Sequence, residues 1–262
     1  MKKRFCSILL ISILSFSISE VFAQHNLFIG VEGGISIPNL SAGSGNTNPL
    51  SNGYSSRLGA DFGILAEYQI NKWFSIQPGI NYSQQGGKHD GFQAFPTPTE
   101  AAAAFPPGEA PKYLYANYNS TAKLNYLMVP VMGKFNFHLT NKLKLYAETG
   151  LFAGFLLSAE TVSSGSSNVY ADPAGTQELP IGVLPFNNSD NIKDSVNTFN
   201  FGVIGALGLS YQLGRGKIFI EGGGNYGFIN IQKNADDGKN YTGAATVHIG
   251  YECLLDCKKK HK

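Results

Sequence analysis

Between Leu127 and Leu139 the apolar residues keep one parity: Leu127, Val129, Val131, Phe135, Phe137 and Leu139, with Gly133 as the gap. Tyr126, Met128, Pro130, Met132, Lys134, Asn136 and His138 take the other. Side chains alternate across a strand, so this pattern predicts one strand with a greasy face and a mixed, partly polar face. The same period recurs along the chain. Leu27, Ile29, Val31, Ile35 and Ile37 oppose Glu32, Gly34 and Ser36; Leu58, Ala60, Phe62, Ile64, Ala66, Tyr68 and Ile70 oppose Arg57, Asp61 and Glu67. A third strand sets Phe74, Ile76, Ile80 and Tyr82 against Ser75, Gln77, Asn81 and Ser83. After the Leu127 strand comes a fifth, with Leu143, Leu145, Ala147, Leu151 and Phe155 against Lys144, Tyr146, Glu148 and Gly150. Three more strands are expected near 198–211, 217–228 and 241–254, which makes eight.

The connections alternate strictly between short and long. Strands two and three are joined by "NK", four and five by "TNK", and six and seven by about "LGRGK", all hairpin-sized. The other links, about 38–56, 86–119, 160–197 and 229–240, are long. Parity alone does not say which face is inside. A lipocalin-like soluble barrel, apolar within and able to bind a ligand there, is one solution; a membrane barrel of opposite polarity is the other. Short links on one side and long links on the other favour the membrane barrel. So do Tyr68, Trp73, Phe74, Phe137, Tyr211 and Tyr251 near the short turns and Tyr82 and Tyr226 nearer the long loops, as girdles at two water interfaces. In hydrocarbon every backbone group must pair within the protein, so the sheet has to close. The expected fold is an all-β, eight-stranded antiparallel up-and-down transmembrane β-barrel, its narrow interior filled mainly by side chains.

The first segment changes the picture of the rest. "MKKRFCSILLISILSFSISEVFAQ" has three bases, an apolar stretch, and Val21 and Ala23 where a signal peptidase reads, so residues 1–23 are expected to be a cleaved secretory signal. Residues 24–254 are then the barrel and 255–262 a basic tail. Removing the signal takes away Lys2, Lys3, Arg4 and Glu20 and brings the formal charge from +2 to zero. A neutral chain with no basic face gives no reason to expect nucleic acid as a partner. Cys253 and Cys257 remain, as free thiols or as a late disulfide.

The phrase "LNYLMVPVMGKFNF", with its tyrosine-leucine pair, a proline three residues after the leucine and a lysine four further on, resembles the PorT-like outer-membrane β-barrel domain family. "LGADFGILAEYQINKWFSIQPGINYSQQGGK" and "LKLYAETGLFAGFLLS" are similar to that family's strands as well. The resemblance spans about Leu27 to Cys253. It implies a porin-like small barrel in the outer membrane of a Gram-negative cell, with membrane lipid around it, and no single activity.

Candidate chemistry is confined to the inward parity, which carries Glu32, Arg57, Asp61, Glu67, Lys134, Lys144, Glu148, Glu221, His248 and Glu252. Charges enclosed in a narrow lumen are costly unless paired, so the first expectation is a salt-bridged plug; an ion path through a narrow pore is the alternative. No nucleophile, base and orienting group share a motif, and His138 and His248 sit on separate strands, so no enzyme is expected. Ligand spacing suggests no metal, and no glycine run precedes a helix as a phosphate loop requires, so no cofactor is expected either. Glycine-rich strands such as "EGGGNYG" suit curvature and close backbone approach. Pro130 and Pro78 donate no ladder bond, which predicts a bulge or a carbonyl turned to lumenal water. A protein or surface ligand, if one binds, is expected at the long loops.

Overall fold

The computed structural model describes residues 27–255 apart from 45 and 104. The expected signal segment 1–23 and the tail beyond 255, with Cys257, lie outside the described residues; Cys253 is an exposed free thiol. Eight long strands form: β1 (Leu27–Ser41), β2 (Gly59–Gln69), β3 (Phe74–Pro96), β4 (Tyr113–His138), β5 (Leu143–Ser164), β6 (Phe199–Leu213), β7 (Gly216–Gly227) and β8 (Tyr241–Leu254). Each is antiparallel to its neighbours in sequence, and β1 pairs with β8 from Phe28↔Leu254 to Ser41↔Tyr241, which closes the ring. Following the registers from Leu27 through Tyr68, Ile76, Gly133, Thr149, Gly205, Gly224 and Ala245 returns to β1 at Ile37, ten residues from the start. A stagger of that size tilts the strands by about 40° and leaves a lumen just wide enough for side chains.

The three short turns are built by local chemistry. Asn71 Oδ1 accepts the N–H groups of Trp73 and Phe74 at 3.0 and 2.9 Å, and Thr140 Oγ1 those of Lys142 and Leu143 at 3.2 and 3.0 Å. Gly214 turns β6 into β7 with φ of 59°.

Polarity decides between the two barrels. Val31, Ile64, Ile80, Val131, Leu151, Leu207, Ile220 and Ile249 all point outward and are exposed, each at 46% or more. Asp61, Glu67, Lys134, Glu148, Lys217, Glu221, His248 and Glu252 point inward and are buried. A greasy outside around a charged inside is the reverse of a lipocalin and matches a barrel solvated by lipid. Trp73, Phe137, Tyr211 and Tyr251 lie exposed around the short-turn end, as an interfacial girdle requires.

Two expectations are corrected. The link expected at 86–119 is mostly strand: β3 and β4 stay paired up to Pro96↔Tyr113, so only 97–112 connects them, and β5 continues to Ser164. Above the membrane no lipid demands an apolar parity, so polar stretches such as "KHDGFQ" can still pair their backbone. Two short strands, Val169–Tyr170 and Asn188–Asn191, extend this sheet along β4 and β5. Of the two outcomes expected at the prolines, a bulge or a turned carbonyl, the bulge does not form. The β3–β4 ladder is interrupted between Pro78↔Val131 and Asn81↔Met128, opposite Pro130, and the β2–β3 ladder between Leu65↔Gly79 and Tyr68↔Ile76, beside Pro78; register is kept across both gaps. The register shift in β4 is instead between Asn125 and Tyr126, against β5.

Candidate functional site

The lumen is filled in three layers. At the short-turn end, Lys134 from β4 is 1% exposed, with Nζ 3.2 Å from Glu67 Oε2, 3.7 Å from Glu148 Oε2 and 3.7 Å from Glu252 Oε1. It also donates to Gln77 Oε1 at 2.9 Å and stands 4.0 Å from the Tyr146 ring centroid. Lys217 from β7 reaches Glu67 Oε2 at 2.6 Å and Glu252 Oε2 at 3.2 Å, and stands 4.5 Å from the centroid of Phe28. Ser75 and Gln69 donate to the other Glu67 oxygen, and Gln77 donates to Glu148. Seven of the eight strands thus meet around two ammonium groups. Buried charges persist in this way only when paired and hydrogen-bonded.

The middle layer gathers Glu32, Asp61, Glu221 and His248. His248 Nδ1 is 3.3 Å from Glu221 Oε1 and Nε2 is 3.4 Å from Asp61 Oδ1. The reach across the sheet is made possible by Gly34, which is in register with both His248 and Asp61. A methyl group there would strike the Val247 carbonyl. Gly63 does the same for Glu32, which crosses it to accept from Asn81 Nδ2 at 2.5 Å.

The top layer is apolar. Leu124, Tyr126 and Met128 of β4, Phe152 and Leu156 of β5 and Leu40 of β1 form one buried cluster. Val196 and Ile231, from two long loops, cap it, and Asn197 N–H donates to the Ile231 carbonyl at 2.8 Å.

Beyond this cap stands the extended sheet. β4 has 26 residues, against the roughly 10 that cross the hydrocarbon, so half of it projects past the membrane. Aromatic rings fasten the longest loop onto the projection: Phe186 stacks on Tyr118 at 4.4 Å, and Tyr170 meets Phe92 edge-on at 5.6 Å. At the loop end a pocket of about 640 Å³ is lined by Asn46, Asn48, Lys112, Tyr113, Lys239 and Tyr241 among others. Lys112 ties across to Asp236 at 2.7 Å.

Of the ten charged positions read from the sequence, eight meet in the two charged layers. Arg57 does not: β2 begins only at Gly59, and its guanidinium donates to the Gln85 carbonyl at 2.8 Å nearer the long-loop mouth. Lys144 is half-buried at the opposite mouth and, among the described residues, stands outside these ion pairs. His138 is exposed at the end of β4. Lys217 falls in the stretch "LGRGK" that reads as turn, although it shares the parity of Glu221 four residues on, and nothing in the pattern sets Gln77 and Tyr146 apart from other polar-face residues.

The model of the outer membrane protein β-barrel domain family matches residues 22–233. The chain belongs to that family. As a member of it, this barrel resides in the outer membrane, with short turns toward the periplasm and long loops toward the exterior. Among solved structures it is similar to Neisserial surface protein A (12% identity, 87% of this chain and 97% of that one covered, TM-score 0.41). Ail, the attachment invasion locus protein of Yersinia pestis, matches at 12% identity, 87% and 99% coverage and TM-score 0.37. The protease OmpT of Escherichia coli matches at 9% identity, 89% and 98% coverage and TM-score 0.31. No curated protein sequence matches the chain.

Proposed function

We propose that this outer-membrane barrel is neither a pore nor an enzyme, and that it serves as a membrane-anchored scaffold whose projecting β3–β4–β5 sheet and long loops bind a protein or surface ligand outside the cell. The observation that carries this reading is the occupation of the lumen by buried ion pairs below and the Leu124–Phe152 cluster above. The same side chains make the structural plug proposed from the sequence, with Arg57 and Lys144 outside it. Within the family, the Leu124–Phe137 segment supports a place among PorT-like members, and we take residues 24–254 as the barrel domain.

The test is single-channel conductance of the refolded chain in a planar bilayer, after heat-modifiable migration on a gel has established that it is folded. A silent bilayer is expected. Discrete, reproducible steps that change selectivity in E148Q would overturn the reading and make the lumen an ion path.

A further inference from the structure

The charged lumen is out of balance, and the imbalance is local. Lys134 and Lys217 serve Glu67, Glu148 and Glu252 at the periplasmic end. Asp61 and Glu221 have His248 as their only basic contact within ion-pair distance among the described residues, and Glu32 has no basic group at that distance among them. Three carboxylates therefore share one imidazole in a space closed below by the lysine network and above by the apolar cap. Carboxylates removed from water need a compensating charge.

The arrangement of atoms suits a metal ion. Glu32, Glu221 and His248 each place one ligand atom within 4.8 Å of the others. What lies behind each ligand is already fixed: Glu221 Oε2 accepts from the Tyr146 hydroxyl at 2.6 Å, and Glu32 Oε1 accepts from Asn81 at 2.5 Å. His248 presents Nδ1 to Glu221, while its other nitrogen faces Asp61, whose Oδ2 accepts from Ser83 Oγ at 2.6 Å. A metal-bound imidazole characteristically turns its second nitrogen to a carboxylate in this way. His248 Nε2 and Asp61 Oδ1 are both buried and, 3.4 Å apart, face only each other among the described residues. His248 is 6% exposed and Asp61 3%, so no bulk water serves them.

We infer that Glu32, Glu221 and His248 bind one divalent cation of the zinc class inside the lumen, with Asp61 orienting the imidazole. An imidazole with two carboxylates suits zinc better than calcium or magnesium, which take oxygen ligands in greater number. Zinc bonds of about 2.0–2.2 Å draw the three atoms closer together, a contraction the unbranched glutamates allow, and leave a fourth position for water. The ion ties β1, β7 and β8 across the seam of the barrel and enters as the barrel closes.

The test uses the full chain with the terminal and exposed histidine and cysteine ligands removed (H25A, H138A, C253S, C257S, H261A), refolded in detergent with zinc chloride and freed of loose metal by gel filtration. Retained zinc is measured by mass spectrometry and folding by heat-modifiable migration. About one zinc per chain is expected. H248Q and E221Q should each lower retention at least tenfold while remaining folded, and D61N should weaken it by roughly 10–100-fold. Cobalt(II) in place of zinc should give a visible absorption that H248Q abolishes. Should H248Q fail to fold, E32Q carries the same comparison. Folded protein that retains no zinc, or retention untouched by E32Q and E221Q, overturns the inference and leaves His248 as a protonated bridge between Asp61 and Glu221.

Discussion

Replacing Lys134 with methionine keeps the stem of the side chain and removes its charge, so the variant isolates what the ammonium group does. Glu67 and Glu252 would keep Lys217, at 2.6 and 3.2 Å. Glu148 would lose its one ion pair, 3.7 Å long, and retain only the Gln77 amide at 3.2 Å. The structure therefore predicts the cost of one stranded buried carboxylate, not of three. Breaking a buried pair on one side costs roughly 3–5 kcal/mol. With the Gln77 bond preserved, K134M should fall near the lower limit, about 3 kcal/mol. E148Q in that background removes the stranded charge and should restore a large part, giving a coupling of roughly 1–3 kcal/mol in a double-mutant cycle. The assay is urea unfolding in phospholipid vesicles followed by the fluorescence of Trp73, the single tryptophan, which lies 59% exposed at the interface. K134M within about 0.5 kcal/mol of wild type, or a cycle with no coupling, would refute the account of the lower layer.

Three further outcomes follow from other parts of the molecule. G34A places a methyl against the Val247 carbonyl and across the path of His248 to Asp61, so its heat-modifiable folded fraction should drop well below wild type; an unchanged yield would show that the reach over Gly34 is dispensable. F186A removes the ring stacked on Tyr118, an interaction worth about 1 kcal/mol beyond its buried area, so proteolysis within 165–198 should quicken while the barrel stays intact. The Asp236 carboxyl is held below its ordinary range by the hydrogen bond and charge of Lys112. A carboxyl lowered on folding stabilises at neutral pH and loses that contribution as pH falls through the folded value, so this tie between 97–112 and 228–240 should lapse only below about pH 4. Hydrogen exchange in 228–240 that rises at pH 6 would contradict it.

The membrane-crossing part of the fold was legible because lipid imposes a rule on every strand: apolar outward, anything goes inward. Val131 with Lys134, or Ile220 with Glu221, obey it. Beyond the membrane the rule lapses, and the β3–β4 extension through His89, Phe92 and Tyr118 read as loop because its pairing leaves no mark on hydropathy. Lys217 was hidden by the "GRG" before it, which reads as turn. The middle layer could not be read at all from one strand at a time. Glu32, Asp61, Glu221 and His248 meet because three registers align around glycines, and an alignment of strands about two hundred residues apart is a property of the closed ring.

That closure has a consequence for assembly. The hydrogen bonds between β1 and β8 join the first described strand to the last, ending with Leu255 N–H on the Leu27 carbonyl. Until that seam is zipped, the sheet has two bare edges that hydrocarbon will not tolerate. Insertion therefore cannot proceed hairpin by hairpin as the polypeptide emerges. The whole length through Leu254 must be delivered, held away from lipid and shielded from edge-to-edge aggregation, and only then committed to the bilayer in one concerted step.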